Sequence, residues 1–342
     1  MSALAVNRIG LAREAYKGGP STLCAGCGHN SITNHIIKAL YDLGVEPHRL
    51  AKLSGIGCSS KTPAYFVEQA HGFNGLHGRM PALATGAGLA NRELVVLGVS
   101  GDGDSASIGL GQFMHLMRRN VDCTYIIEDN GTYGLTKGQF SATADVDSVH
   151  KKGAVNHYQP IDPCAVALSV GSTFVARSFS GDGKQLVPLL KAAISHRGTS
   201  LLDVISPCVT FNDHEGSTKS YSWVKEHDEP IQDVSFIPFF EEIHVDYEPG
   251  TTTDVRLHDG SHLVLRKLHE LDHDPTDRAA ALKVVEDGRR TGQLVTGLLY
   301  VSPEAEDFST REKLPEQPLR DLGEDDLRLT RGQFAEVMSE LA

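Results

Sequence analysis

Residues 93–139 read ELVVLGVSGDGDSASIGLGQFMHLMRRNVDCTYIIEDNGTYGLTKGQ. The apolar run 94–99 predicts a buried strand, and it breaks at Ser100-Gly101-Asp102-Gly103-Asp104, where small and acidic residues replace aliphatic ones. Residues 105–119 have helical spacing, with Ile108, Phe113, Leu116 and Met117 as the expected buried stripe. A second buried strand, 124–127, ends in Glu128-Asp129-Asn130-Gly131-Thr132-Tyr133-Gly134. The unit is strand–helix–strand, with polar, glycine-rich ends on the carboxyl side of both strands. Open parallel sheets bind ligands on that side.

Those ends have the chemistry of a metal-held diphosphate. Mg²⁺ takes a few hard oxygen ligands and completes its octahedron with phosphate oxygens. Asp102 offers a carboxylate and Asn130 an amide oxygen, each at a strand tip, while Gly101 and Gly103 let the backbone approach phosphate. The plain alternative is a surface turn. The chain carries its own comparison: Gly181-Asp182-Gly183 repeats the triplet, but no strand ending in Asp-Asn follows it at similar distance. The paired asparagine favours a cofactor site for the first triplet.

Gly101-Asp102-Gly103, then 26 residues, then Asn130 resembles the thiamine diphosphate signature. The wording from Asn130 through Gly134-Leu135-Thr136-Lys137-Gly138-Gln139 resembles the β subunit of 2-oxoacid:ferredoxin oxidoreductases, most of all the 2-oxoglutarate branch. The resemblance covers roughly residues 20–225. It implies a doubly wound parallel α/β sheet of the thiamine diphosphate-binding type. It also implies Mg²⁺ held by Asp102, Asn130 and the carbonyl of Thr132. Further cofactor contacts are expected from Ile56, Gly57, Ser59, His77, Gly101, Gly103, Asp104, Gly134 and Leu135.

The chain has 342 residues, 40% hydrophobic, and a net charge of −12. That is enough apolar material for one large or two modest domains, and the negative charge argues against nucleic acid as a main partner. No apolar run is long enough to span a bilayer, and residues 1–19 lack the apolar core of a secretory signal, so a cytoplasmic setting is expected. Six cysteines, at 24, 27, 58, 123, 164 and 208, are too sparse for a secreted disulfide scaffold.

Cys24 and Cys27 form a Cys-x-x-Cys pair before a helix expected after His29, with Ile32, Ile36, Ile37 and Leu40 inward. Cys58 follows the strand 50–54 in a glycine loop, and Cys208 follows the strand 201–205. All four are expected at one edge of the sheet. On the residues alone, structural zinc, a redox disulfide and an iron–sulfur centre all remain open for Cys24 and Cys27. One close pair plus two singletons tilts toward a cluster, and the resemblance implies a 4Fe–4S cluster on Cys24, Cys27, Cys58 and Cys208. Cys123 and Cys164 lie in apolar segments and read as buried, inert thiols.

His77, in Gly75-Leu76-His77-Gly78-Arg79 ahead of a small-residue helix at 80–91, is implied to be a cofactor contact with a catalytic role. Lys61 and Lys137 lie in loops expected to face substrate, where a cation would pair with the distal carboxylate of 2-oxoglutarate. Helices are expected at 162–171 and 184–197, with a strand at 173–176 between them. The boundaries read as a tail at 1–19, a cofactor domain at 20–225, a C-terminal extension at 226–302 and an acidic tail at 303–342. The extension holds a β-hairpin (251–257 and 261–266 about Asp259-Gly260), a helix at 277–289 and a strand at 298–301. A short helix is expected near 333–341.

The two halves together imply oxidative decarboxylation of a 2-oxo acid with coenzyme A as co-substrate and ferredoxin as electron acceptor. A subunit carrying only this α/β module needs a partner. The resemblance implies an α subunit bearing the pyrimidine-binding domain and its glutamate, in an α2β2 assembly. A non-oxidative thiamine decarboxylase subunit with structural zinc is the alternative, as is pyruvate for the substrate.

Overall fold

The computed structural model describes residues 5–149, 153–241, 252–267 and 273–341. Strands β1 (Leu50–Ser54), β2 (His71–Asn74), β3 (Val95–Gly101) and β4 (Cys123–Asp129) are followed by the short pair β5 (Thr132–Tyr133) and β6 (Gln139–Phe140). Then come β7 (Phe174–Phe179), β8 (Thr199–Ile205), β9 (Asp228–Pro230), β10 (Gln232–Ile237), β11 (Thr252–Arg256), β12 (His262–Lys267) and β13 (Leu294–Val301). The main helices are α1 (Gly28–Leu43), α2 (Met80–Ala90), α3 (Leu110–Arg119), α4 (Pro163–Ser169), α5 (Gly183–Ser195), α6 (Tyr221–His227) and α7 (Arg278–Thr291).

Eight strands form the central sheet in the order β2-β1-β3-β4-β8-β7-β13-β9. The pairs from β2 to β7 run parallel, and β13 joins antiparallel to β7. Every residue of β4 and β8 is buried, as expected for central strands covered on both faces. On one face α1 and α5 pack together over Leu97, Val99 and Ile126. On the other, α2, α3, α4 and α7 cover Val96, Tyr125 and Ile127. This is the expected doubly wound α/β sheet.

Local chemistry accounts for the helix limits. Ile32, Ile36, Ile37 and Leu40 form the buried stripe of α1, each worth ~1.5–3 kcal/mol on full burial, and Gly44 ends the helix in the left-handed region at φ +64°. Asp182 caps α5 by accepting from the amides of Lys184 and Gln185 at 3.0 and 3.1 Å. The second Gly-Asp-Gly triplet is therefore a helix start, and its aspartate is occupied by backbone.

Four expectations differ from the structure. The helix expected at 105–119 is two pieces, a π-wound turn Gly103–Ile108 and then α3. The change of winding turns Ile108 outward, to 53% exposure, while Phe113, Leu116 and Met117 are buried as expected. The segment assigned to an extension supplies β9 and β13 to the central sheet, so that sheet crosses the boundary drawn at 225. The hairpin β11–β12 is present, its Thr251 lying outside the described residues, but β10 pairs with β12 to make three strands. At the amino end, Tyr16 is buried and its hydroxyl donates to the Val45 carbonyl at 2.9 Å, which ties residues 5–19 to the core. The last helix runs Arg331–Glu340, with no buried residue. No helix among the described residues is long and apolar enough to cross a membrane.

Candidate functional site

The carboxyl ends of β1, β3 and β4 open into one cleft. It is lined by His29, Ile56, Gly57, Cys58 and Ser59, by His77, by the run 101–104, by Glu128 and Asn130, and by residues 132–136. The topology explains the gathering: β1, β3 and β4 are neighbours and parallel, so their loops leave on the same side.

Asp102 is buried, and its Oδ2 accepts from the hydroxyls of Ser141 and Thr143, the latter at 2.6 Å. Thr143 also lies 2.6 Å from Asp129 Oδ1. A hydroxyl has one proton to give, so a threonine between two carboxylates needs a second proton from one of them. Burial, and then the charge of Asp129, push the Asp102 carboxyl up to about 7 against the pull of Ser141 and Thr143. Asn130 Oδ1 accepts from the Thr132 amide at 3.0 Å and retains a second lone pair. The Thr132 carbonyl accepts from the Gly134 amide at 3.1 Å. A buried carboxylate, an amide oxygen and a carbonyl are hard oxygen donors of the kind that Mg²⁺ takes, so the residues present fit such an ion.

Gly103 cannot carry a side chain here: a Cβ would sit 2.4 Å from the Tyr133 ring, whose hydroxyl donates to the Gly103 carbonyl at 3.0 Å. Asp104 behaves differently from Asp102. It lines the cleft, but its carboxylate accepts from the amides of Ile56 (3.3 Å) and Gly78 (2.6 Å), the Ser100 hydroxyl and His77 Nδ1. It anchors the loops around His77, leaving that ring's Nε2 as the atom available to the cleft.

Of the four cysteines Cys58 lines the cleft, and the other three lie close enough for their charges to act on it or on one another. A Cβ on Gly134 would lie 3.5 Å from Cys58 Sγ and 3.6 Å from Cys208 Sγ. The Gly28 amide donates to the Pro207 carbonyl at 3.3 Å, which joins the Cys24–Cys27 loop to the Cys208 loop. Thr210 Oγ1 is 3.5 Å from Cys24 Sγ. Burial pushes the Cys27 thiol up to about 12, with Glu128, Cys208 and Cys58 adding to the lift. Burial and Cys208 raise that of Cys58. Thiols crowded and desolvated in this way resist ionising together unless a metal centre supplies positive charge. Tetrahedral zinc, with Zn–S of about 2.3 Å, needs sulfurs about 3.8 Å apart. Among the described residues, the one trio of candidate ligand atoms within 4.8 Å of one another is Asp162, Cys164 and Asp203, so no three of these four sulfurs are that close. The Asp162 and Asp203 carboxylates already share a cation, the Arg177 guanidinium, at 2.6 and 2.9 Å. Cys123 and Cys164 are buried, apart from the cleft.

Lys61 sits in the turn after Cys58, and its charge pulls that thiol's pKa down against the lift from burial and Cys208. Lys137 is exposed in a left-handed turn at φ +80°. Neither lines the cleft. Residue-pattern reasoning missed Ser141 and Thr143, and also the buried pair His29 and Glu128. His29 Nδ1 lies 2.6 Å from Ser206 Oγ and 3.5 Å from a Glu128 oxygen, and Nε2 is 3.5 Å from Asn130 Nδ2. Burial lowers His29 to about 4 and raises Glu128 well above the usual range, although Thr62 donates to it. Two acids ending the all-apolar run before Asn130 were the available signal for Glu128.

Residues 55–204 match the family model of the thiamine pyrophosphate enzyme C-terminal TPP-binding domain. A 2-oxoacid:ferredoxin oxidoreductase subunit beta of a Sulfolobus species is 46% identical over 191 residues, 56% of this chain and 63% of that one. The 2-oxoglutarate oxidoreductase subunit KorB of Mycobacterium tuberculosis is 41% identical over 218 residues, 61% of this chain and 57% of that protein. The match thus spans about three fifths of these relatives' own length. The 2-oxoglutarate synthase subunit KorB of Methanocaldococcus jannaschii, 38% identical over 56% of this chain, is itself covered over 71%. A solved structure of 2-oxoglutarate:ferredoxin oxidoreductase from Magnetococcus marinus, with 2-oxoglutarate, coenzyme A and succinyl-CoA bound, superposes with a TM-score of 0.72 at 30% identity, covering 97% of this chain and 96% of that one. The chain belongs to the β-subunit family of the 2-oxoacid:ferredoxin oxidoreductases, carried on a thiamine pyrophosphate-binding α/β domain.

Proposed function

We propose that this chain is the catalytic β subunit of a coenzyme A-acylating oxidative decarboxylase of 2-oxo acids, with 2-oxoglutarate as substrate and ferredoxin as electron acceptor. One observation carries the reading: Gly134 lines the cleft that holds Asp102 and Asn130, and its missing side chain faces the sulfurs of Cys58 and Cys208. A diphosphate site and a thiol cluster therefore share a wall. When bound, thiamine diphosphate supplies carbanion chemistry at a keto carbon, and a 4Fe–4S cluster supplies a one-electron outlet.

In this reading Asp102, Asn130 and the Thr132 carbonyl hold Mg²⁺, and the backbone at Gly101 and Gly103 approaches the diphosphate. Asp104 accepts from His77 Nδ1, which fixes the tautomer and leaves Nε2 to hold or move a proton at the substrate. Lys61 and Lys137 supply positive charge for the distal carboxylate of 2-oxoglutarate. Cys24, Cys27, Cys58 and Cys208 hold the cluster, which suits a cytoplasmic setting where thiols stay reduced.

The cleft of one chain encloses about 90 Å³, well short of the ~300–1,000 Å³ of a complete small-molecule pocket. Ile56 and Leu135 on its walls, and Leu76 beside His77, are exposed apolar side chains. A partner that covers them would complete the pocket, as expected of an α subunit carrying the pyrimidine-binding domain and its glutamate in an α2β2 assembly. The test is anaerobic purification with the co-expressed partner, followed by iron and sulfide analysis and a coenzyme A-dependent dye-reduction assay across 2-oxo acids. Iron and sulfide in equal amounts with 2-oxoglutarate turnover are expected. Zinc in the cysteine site, or 2-oxo acid decarboxylation without dye reduction, overturns the proposal.

A further inference from the structure

Asp102 uses its two carboxylate oxygens unequally. Oδ2 accepts from the hydroxyls of Ser141 and Thr143, the latter at 2.6 Å. Oδ1 has no donor among the described residues and is not sealed from solvent, so it opens on the cleft that Asp102 lines. The two hydroxyls come from the segment after β6, 39 and 41 residues beyond Asp102. That segment is pinned on two sides. β6 pairs antiparallel with β5, and the Ser141 amide donates to the Gly131 carbonyl at 3.4 Å, between Asn130 and Thr132. The Ala142 amide donates to the Ser107 hydroxyl at 3.0 Å, in the π-wound turn that follows Asp102. The hydroxyls are therefore held against both loops that carry the proposed metal donors.

A carboxylate oxygen offers about two lone-pair sites, and two hydroxyls on Oδ2 fill them, whereas Oδ1 keeps its own. Asp129, the other neighbour of Thr143, has further groups to satisfy it: the Gly131 amide donates to its Oδ1 at 3.2 Å, and Lys219 faces its Oδ2 at 3.7 Å. Ser141 and Thr143 are buried, so their oxygens stay on Oδ2 and only Oδ1 is left to meet an ion. Divalent cations differ in what they make of this. Mg²⁺ needs one oxygen per octahedral corner at about 2.0–2.1 Å, whereas Ca²⁺ takes about 6–8 oxygens at about 2.3–2.6 Å and accepts both oxygens of one carboxylate. One-oxygen ligation suits the smaller ion.

We propose that Ser141 and Thr143 are positioning residues that confine Asp102 to one-oxygen ligation and thereby set the preference of the site for Mg²⁺ over Ca²⁺. The inference rests on the metal and diphosphate site proposed above and names what selects its ion. Without the two hydroxyls Oδ2 is free, and the carboxylate can turn to grip a larger ion with both oxygens. Mg²⁺ then loses a fixed Oδ1, while Ca²⁺ loses little.

The test is calorimetric titration of the chain with its co-expressed partner, stripped of divalent ions, with MgCl₂ or CaCl₂ at saturating thiamine diphosphate. Wild type should bind Mg²⁺ more tightly than Ca²⁺. In the double variant Ser141→Ala, Thr143→Val the Mg²⁺ affinity should fall ~10–100-fold, the usual effect of losing an outer-shell partner, and the Ca²⁺ affinity less than about threefold. Thr143→Ser, which keeps a hydroxyl, should retain the wild-type ratio. Folding is checked by circular dichroism; if the double variant does not fold, Ser141→Ala alone decides, with an expected fall in the Mg²⁺/Ca²⁺ ratio of about threefold or more. Equal losses for both ions, as general loosening would give, or a wild type that prefers Ca²⁺, overturns the proposal while the metal site stands. A wild type that binds neither ion overturns both.

Discussion

Replacing Asp102 by Asn should stabilise the metal-free chain while removing the proposed metal site, and the gain should depend on pH in a way fixed by the geometry. Asp102 is buried beside Asp129, and its carboxyl is lifted from an ordinary value of 3.8 to about 7. The folded state therefore binds a proton more tightly than the unfolded state does. Below about pH 4 both states are protonated and the group contributes no difference. As pH rises from 4 to 7 the unfolded chain releases its proton first, so folding loses stability, and above 7 the loss is complete. The full lift corresponds to about 4 kcal/mol, an upper figure because part of it comes from the neighbouring charge of Asp129. Asn keeps an oxygen for Ser141 and Thr143 to donate to and has no charge to bury. Other lifted acids, among them Asp203 and Asp122 at about 6, affect both proteins alike and cancel in the difference. Urea unfolding at half-unit steps from pH 4 to 8 should show wild type and Asp102→Asn nearly equal at pH 4 and the variant ahead by up to about 4 kcal/mol at pH 8, at unchanged m-value. With Mg²⁺ and thiamine diphosphate the order should reverse, since only wild type gains binding energy. A pH-independent gap, or a variant that loses ground as pH rises, would refute the buried-charge reasoning.

Gly103→Ala puts a methyl 2.4 Å from the Tyr133 ring; unfolding should show a loss of ~1–3 kcal/mol, and calorimetry no Mg²⁺–thiamine diphosphate binding. Cys208→Ser should fold, because the side chain is not in the hydrophobic core, yet anaerobic preparations should lose their iron and their broad visible absorbance. Lys61→Ala should lower the preference for 2-oxoglutarate over pyruvate by ~10–100-fold, the worth of one charge-assisted hydrogen bond; unchanged discrimination of kcat/KM removes Lys61 from substrate recognition.

The sheet was legible because its strands are continuous apolar runs with polar carboxyl ends, and the site was legible because those ends carry Asp102, Asn130, Cys58 and Cys208. What stayed hidden is what depends on crossing distance. Ser141 and Thr143 lie in a loop with little hydrophobic period, and nothing in the order of residues says that this loop folds back onto Asp102, some 40 positions earlier. The antiparallel entry of β13 beside β7 was hidden for a related reason. A short apolar strand reads the same whether it closes a local hairpin or pairs with a strand 120 residues before it, and only the open edge of β7 decides. Ile108 failed on geometry: helical periodicity assumes 3.6 residues per turn, and a π-wound turn at Gly103–Ile108 breaks that phase.

The same sheet edge explains why the two Gly-Asp-Gly triplets fare so differently. Asp182 turns its oxygens to the first amides of α5, a use that neutralises them locally and asks for no ion. Asp102 has no such capping bond. Its charged neighbour at the strand ends is Asp129, which Lys219 faces at 3.7 Å. Two buried carboxylates beside one cation leave a negative surplus, held in place by hydroxyls that supply hydrogen bonds but no charge. Such an arrangement is unfavourable for a chain alone and becomes favourable when a divalent cation enters, because burial magnifies attraction as much as repulsion. In the proposed metal site the cost of the buried carboxylates and the affinity for the ion have the same origin, and no substitution at Asp102 should relieve the first while keeping the second.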